Sequence, residues 1–190
     1  MSSTRSALSR PVVTIVGATG AVGIELIKCL DERRFPLSEL RLTASARSAG
    51  KTLPFRGTPI EVSELTEESF RGVDIALFSA GSGISKRFAP IAVEAGAVVV
   101  DNSSAFRTDP AIPLVVPEIN PQKVFEHHGI IANPNCSTII AITPLWPIHR
   151  VNRIQRVIVA TYQPAGAVRT GDFQLAEPSA AELERRRNPT

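Results

Sequence analysis

Two kinds of apolar run alternate along this chain. The first is short, continuous and rich in β-branched residues. VVTIV follows Pro11, LRLTA runs from Leu40 to Ala44, DIALFSA from Asp74 to Ala80, AVVVD from Ala97 to Asp101, and GIIAN from Gly129 to Asn133. Runs of this length without a polar face predict strands buried on both sides, as in a parallel sheet. The second kind recurs at helical spacing. IELIKCLDERRF puts Ile24, Ile27 and Leu30 on one helical face, and Ser85 to Glu94 repeats the pattern. STIIAITPLWPIHR predicts a third helix, which Pro144 and Pro147 limit or kink.

Elsewhere the pattern is broken. Pro54 and Pro59 interrupt the stretch from Leu53 to Val62, which therefore reads as short edge strands. IPLVVPEINP, with prolines at 113, 117 and 121, reads as extended chain, and RIQRVIVATYQ reads as a strand ending at Gln163. From Pro164 onward apolar periodicity fades, and the chain ends in a charged, helix-like stretch. Alternating strands and helices with short connections predict an α/β fold with a doubly wound, mostly parallel sheet.

Composition narrows the class. With 190 residues, 43% hydrophobic and 21% charged, the chain can bury a core and is neither fibrous nor disordered as a whole. The net charge of +3 is mild, and Arg185 to Arg187 account for much of it. No basic stripe is interleaved with aromatics, so nucleic acid is not expected as a partner. No apolar run reaches the roughly 20 residues of a membrane span, so no membrane partner is expected either. The opening MSSTRSALSRP is Ser/Arg-rich without an apolar stretch, and reads as a frayed polar terminus rather than a secretory signal. Cys29 and Cys136 make neither a disulfide framework nor a metal-ligand spacing, which points to a reducing cytoplasm.

Three stretches carry candidate chemistry. In GATGAVG, Gly17, Gly20 and Gly23 follow a strand and open a helix, where backbone N–H groups can approach a pyrophosphate. This is the Rossmann-like pattern. About 20 residues beyond such a turn, an NAD site places an acidic residue for the ribose. Here the chain reads SARSAGK, in which Ser45, Arg47 and Ser48 suit a 2′-phosphate, so NADP is the expected cofactor. The third stretch is NPNCSTI. Asn135 is a good N-cap, and Cys136 then begins a helix whose dipole and unpaired amides favour negative charge. A cysteine there can attack a carbonyl while neighbouring amides hold the oxyanion; the competing reading is a buried cysteine at a strand–helix junction. Cys29 lies inside a helix and reads as structural. Beside a nicotinamide dinucleotide, a nucleophilic cysteine implies aldehyde oxidation through a thioester, or the reverse reduction of an acyl phosphate. Arg107 in FRT is a candidate anchor for an anionic substrate.

Taken together, VTIVGATGAVG, SARSAGK, DIALFSAG, VVDNSSAFR, PEIN, NPNCSTI and ATYQ resemble the N-terminal part of the aspartate-semialdehyde dehydrogenase family, in the family's order over residues 12 to 163. The resemblance implies NADPH-dependent reduction of β-aspartyl phosphate to aspartate semialdehyde, in lysine, threonine and methionine biosynthesis. It implies cofactor contacts from Thr19, Gly20, Ala21 and Val22 and from Arg47 and Ser48. Arg107 would bind the substrate phosphate, Asn135 would support the acyl site, Cys136 would carry the thioester and Gln163 would orient the substrate. The related N-acetyl-γ-glutamyl-phosphate reductases are the alternative enzyme, although their cysteine motif reads closer to NPGCY. The implied division is an NADP-binding domain over 11–135, the incomplete start of an α+β catalytic and dimerisation domain over 136–163, and a divergent tail over 164–190 for which disorder is one reading. After Gln163 the resemblance stops. The family's general-base histidine and carboxylate-binding arginine lie farther on, and His127, His128 and His149 do not replace the base. The chain therefore reads as truncated and inactive alone. A non-catalytic NADP-binding or interaction module is the competing reading. The family is homodimeric; for this chain the state is left open.

Overall fold

The structure, a computed structural model, describes residues 10–162. The polar N-terminus, Gln163 and the tail from Pro164 lie outside the described residues. Among the described residues seven strands form one sheet: β1 (Val12–Val16), β2 (Glu39–Ala44), β3 (Thr52–Phe55), β4 (Thr58–Glu64), β5 (Ile75–Phe78), β6 (Val98–Asp101) and β7 (Ile130–Ala132). Their order is β3-β4-β2-β1-β5-β6-β7, and every pair is parallel except the β3–β4 hairpin at one edge. Pro54 and Pro59 sit opposite each other in that hairpin, where a missing ladder donor is tolerated. The chain winds outward from β1 in one direction, then returns to β5 and winds outward in the other. This is the Rossmann-like, doubly wound α/β arrangement, and its topological switch lies between β1 and β5.

Among the described residues three α-helices accompany the sheet: α1 (Ala21–Glu32), α2 (Ser82–Glu94) and α3 (Cys136–Val151). Alternation along β1 separates two core layers. Val13 and Ile15 pack with Ile27 of α1 and with Leu40, Leu42, Phe55 and Val62. Val16 faces the other way, into a layer with Phe88, Ala89 and Ala92 of α2. Phe70 anchors this second layer, fully buried, stacked on Phe78 at 5.9 Å and tilted against Phe88 at 6.3 Å. The helices start earlier than their apolar periodicity suggests, because the first turns of α1 and α2 are mostly exposed and contribute little to a buried stripe. The proline-rich segment is extended only in its first part: Leu114 bridges Ala132, Val115 donates to the Ala132 carbonyl at 3.0 Å, and Val115 and Val116 are buried beside β7. Pro117 to Ile119 turn instead, closed by the Asn120 amide on the Val116 carbonyl at 2.9 Å, and Pro121 opens a 3-10 helix.

One expectation fails. RIQRVIVATYQ reads as a strand, yet residues 153–162 carry neither strand nor helix. Val157, Ile158, Val159 and Tyr162 are exposed. β-branched composition favours a pleated chain only where a neighbouring strand takes up its backbone groups, and no strand pairs with this segment among the described residues. Of the two effects read for Pro144 and Pro147, ending the helix is excluded, since both lie inside α3. The compact unit that holds the sheet runs to Arg153, and Ile154 begins a second unit.

Phe70→Ala removes the aromatic to which both rings are fitted. We expect it to lower the unfolding free energy by about 3–5 kcal/mol, read as a shifted midpoint in urea denaturation with the slope unchanged.

Candidate functional site

Because β1, β2, β5, β6 and β7 are parallel, the segments that follow them all emerge at one edge of the sheet. These segments hold the chemistry-bearing residues read from the sequence. Gly17 to Gly23 follow β1, Ser45 to Ser48 follow β2, Asn102 to Arg107 follow β6, and Asn133 to Cys136 follow β7.

The glycine turn is fixed by its neighbours on both sides. Gly17 and Ala18 both donate to the Thr43 carbonyl of β2, at 2.9 and 3.1 Å. Gly17 has φ +89, and a Cβ there would stand 2.7 Å from the Ser79 carbonyl oxygen just beyond β5. At Gly23 a Cβ would meet the Gly17 carbonyl oxygen at 2.3 Å. Gly20 differs: a Cβ there comes no nearer than 3.4 Å to Gly17 and would project into the opening before α1. Gly20 is the N-cap, no side chain caps the helix, and the first turn carries no acidic residue. The amides of Ala21, Val22 and Gly23 thus precede the first helical bond, which Ile24 donates to the Gly20 carbonyl at 2.9 Å. A cradle of open amides at a switch point, kept free by a glycine that its own chain does not require, fits a dinucleotide pyrophosphate.

Beside it, Ser45 caps a short 3-10 turn over Ala46–Ser48, and Ser48 donates its amide to the Ser45 carbonyl at 2.8 Å. Arg47 and Ser45 are exposed, while Ser48 is mostly buried. The Arg47 guanidinium has no partner among the described residues. The register also brings Glu64 opposite Ala44 at the end of β4. Counting forward from the glycine turn along β2 could not reveal this carboxylate, because it arrives from the next strand.

At the far side of the crevice, Asn135 caps α3 by accepting the Ser137 amide at 3.0 Å, so Cys136 is the first helical residue, and its side chain is exposed. The reading of a buried cysteine at the junction is thereby overturned. Arg107 is partly buried and makes two bonds to backbone: Nε donates to the Asn133 carbonyl at 2.9 Å and Nη2 to the Asn102 carbonyl at 3.0 Å. The Asn133 side chain donates to Asn102 Oδ1 at 2.7 Å. Beneath this junction Asp101 is fully buried and accepts the hydroxyls of Ser85, at 2.6 Å, and Ser103, at 2.7 Å. Ser103 Oγ in turn accepts the Ala105 amide at 3.0 Å, shaping the loop that presents Arg107. β1 and β7 are separated by β5 and β6, so the cysteine lies roughly 14 Å along the sheet from the glycine turn.

Residues 12–127 match the family model described as semialdehyde dehydrogenase, NAD binding domain. The chain belongs to the semialdehyde dehydrogenase family. An aspartate-semialdehyde dehydrogenase of Synechocystis is 55% identical over 153 residues, which is 80% of this chain and 45% of the relative. Among solved structures, aspartate semialdehyde dehydrogenase II of Vibrio cholerae complexed with ASA is similar with a TM-score of 0.72 and 52% identity, covering 75% of this chain and 47% of that one. An aspartate semialdehyde dehydrogenase with NADP from Candida albicans has a TM-score of 0.61 at 26% identity, covering 77% and 48%. The chain spans a little under half the length of these relatives.

Within this semialdehyde dehydrogenase fold the histidines stand away from the cysteine. His127 accepts the Gly129 amide on Nδ1 at 2.9 Å, and with His128 it precedes β7, at the end opposite Cys136. His149 stacks on Trp146 at 6.0 Å, 13 residues beyond Cys136 and so on the order of 20 Å along α3. Cys29 lies inside α1, as read, with its side chain exposed. Gln163 lies outside the described residues. No helix among the described residues is long and apolar enough to cross a membrane.

The two kinds of glycine are separable by stability. Gly23→Ala is expected to cost about 1–3 kcal/mol, since its methyl group meets backbone. Gly20→Ala should cost less than about 1 kcal/mol. Parallel urea melts of the two variants check the difference.

Proposed function

We propose that this chain forms the dinucleotide-binding and nucleophile-bearing part of an NADP-dependent aspartate-semialdehyde dehydrogenase, acting on β-aspartyl phosphate in the cytoplasm. The observation that supports this most is the single sheet edge, with open amides of α1 at one side and an exposed Cys136, capped by Asn135 and near Arg107, at the other. Residues 11–135 form the NADP-binding domain in this reading, and 136–163 begin the catalytic one. The named ligands of the relatives, NADP in one and ASA in another, point the same way.

In this reading Gly17, Gly20 and Gly23 leave room for the pyrophosphate, and residues Thr19 to Val22 contact it, with the open amides of Ala21 and Val22 as donors. Ser45, Arg47 and Ser48 receive the 2′-phosphate. Arg107 holds the substrate phosphate and Gln163 orients the substrate. The Cys136 sulfur attacks the acyl carbon, a C–S bond forms, the C–O bond to phosphate breaks, and inorganic phosphate leaves. The amides at the start of α3 other than that of Ser137, which Asn135 takes, receive the oxyanion as it develops. When bound, the reduced dinucleotide supplies the hydride that turns the thioester into an aldehyde and frees the sulfur. Association with a second copy, the family's state by resemblance, has apolar surface available in Ile140, Ile148 and Val151 of α3, all exposed.

Two outcomes test this reading. Mixed with β-aspartyl phosphate and no dinucleotide, the chain should gain one aspartyl group at Cys136 by peptide mass spectrometry. Hydroxylamine should remove the group, and Cys136→Ser should not acquire it; labelling that spares Cys136 contradicts the assignment. Arg47→Ala should weaken NADPH binding about tenfold or more, the worth of a charge-assisted bond to phosphate, while leaving NADH affinity nearly unchanged. Equal losses for both cofactors, by titration calorimetry, would reject the 2′-phosphate role and turn attention to Glu64.

A further inference from the structure

We propose that Asn102 and Asn133 are positioning residues for this site, aiming the free edge of the Arg107 guanidinium and the start of α3 at a common anion. The assignment of that anion as the substrate phosphate rests on the function proposed above. The geometry of the three residues is independent of it.

The bonds close a ring. Asn133 Nδ2 donates to Asn102 Oδ1 at 2.7 Å, Arg107 Nη2 donates to the Asn102 carbonyl at 3.0 Å, and Arg107 Nε donates to the Asn133 carbonyl at 2.9 Å. Both asparagines are held from below as well. The Asn102 amide donates to the Phe78 carbonyl of β5 at 2.9 Å, and the Asn133 amide to the Asp101 carbonyl at 2.8 Å. The last ladder pair of β6 and β7 is Asp101 with Ala132, so the ring sits one residue beyond the point where the sheet stops holding these chains together.

A guanidinium has five N–H donors in a rigid plane. Nε and the adjacent Nη2 hydrogen, its side edge, are spent on the two carbonyls. The remaining three donors belong to Nη1 and the outer hydrogen of Nη2, and they have no partner among the described residues. A clip that served the fold alone would need no further donors. The unused end-on pair matches two oxygens of a phosphate or carboxylate. Asn133 is three residues from Cys136, so their Cα atoms are at most about 11 Å apart, and the guanidinium bonded to the Asn133 carbonyl lies beside the same short segment. If the Asn102–Asn133 bond is lost, the two carbonyls are linked only through the guanidinium that they hold, which is then less firmly directed although both of its partners survive.

The test uses the full chain carrying Cys29→Ser, so that Cys136 is the sole thiol. Iodoacetamide alkylation of Cys136 is followed across a pH series, with and without inorganic phosphate, beside a thermal melt of each variant. In the parent, phosphate should protect Cys136. Asn102→Ala and Asn133→Ala should each raise the half-protecting phosphate concentration about tenfold or more and shift the pH–rate profile, as expected when a positioned group is displaced. The double variant should lose no more than either single one, since one bond is shared. Asn102→Ser, polar but too short to reach Asn133, replaces Asn102→Ala if that variant melts early. Parental protection and a parental pH profile in either folded Asn102 variant overturn the inference. Absence of protection in the parent overturns the phosphate role of Arg107 instead, and the pH profile alone then decides for or against the asparagines.

Discussion

Beyond Asp101 and Ala132 the β6–β7 ladder ends, and the Arg107 guanidinium continues the work of holding the two chains together by taking one backbone carbonyl from each. The next residues after β7 depend on that bridge. Pro134 is buried immediately beyond it, Asn135 caps the next helix, and Cys136 is the first residue of that helix. Buried Asp101 supports the bridge from inside the sheet. Its carboxylate accepts one hydroxyl from α2 and one from its own loop, so a charge that is costly to bury alone has partners. The same strand end thus carries a buried carboxylate and, a few residues later, a half-buried guanidinium whose bonds go to backbone.

The two sides of the crevice are built by different means. At the glycine turn the chain relies on the absence of side chains: Gly17 and Gly23 permit close backbone approach, and Gly20 leaves the helix start open. At the cysteine side the chain relies on side chains: Asn135 and Arg107 take up backbone groups that no strand satisfies, and the Asn102 and Asn133 side chains bond to each other. Open amides bind a ligand through its shape and charge without adding reactivity. A nucleophile needs a fixed direction, and the polar ring supplies that from groups that cannot easily slide.

This contrast explains what could be read from the sequence. β1, β5, β6 and β7 were legible because strands buried on both faces are continuous apolar runs, and the glycine turn was legible because its spacing is local. Asn135 was legible for the same reason, since a cap acts on the amide two residues ahead. Arg107 was legible only as a cation near the site. Its bond to Asn133 joins positions 26 residues apart, and Ser85 reaches Asp101 across 16, so neither partnership leaves a local pattern. Glu64 was missed because it reaches the end of β2 through register with a neighbouring strand. RIQRVIVATYQ misled because its composition states a preference that only a partner strand can realise.

α3 shows most clearly why the polar junction matters. Its sequence is mainly apolar, yet none of its side chains is fully buried, and Ile140 and Val151 are 74% and 92% exposed. No other helix or strand among the described residues packs extensively along it. Pro144 and Pro147 further remove two backbone donors from its interior. A helix held this lightly along its length takes its direction from its first turn. There the Asn135 side chain meets the Ser137 amide, the Ile139 amide meets the Asn135 carbonyl at 3.0 Å, and Asn133 is fixed two residues earlier by Asp101, Asn102 and Arg107. The position of Cys136 is therefore set from the sheet side, by hydrogen bonds at the ends of β6 and β7, and not by hydrophobic packing of the helix that begins with it.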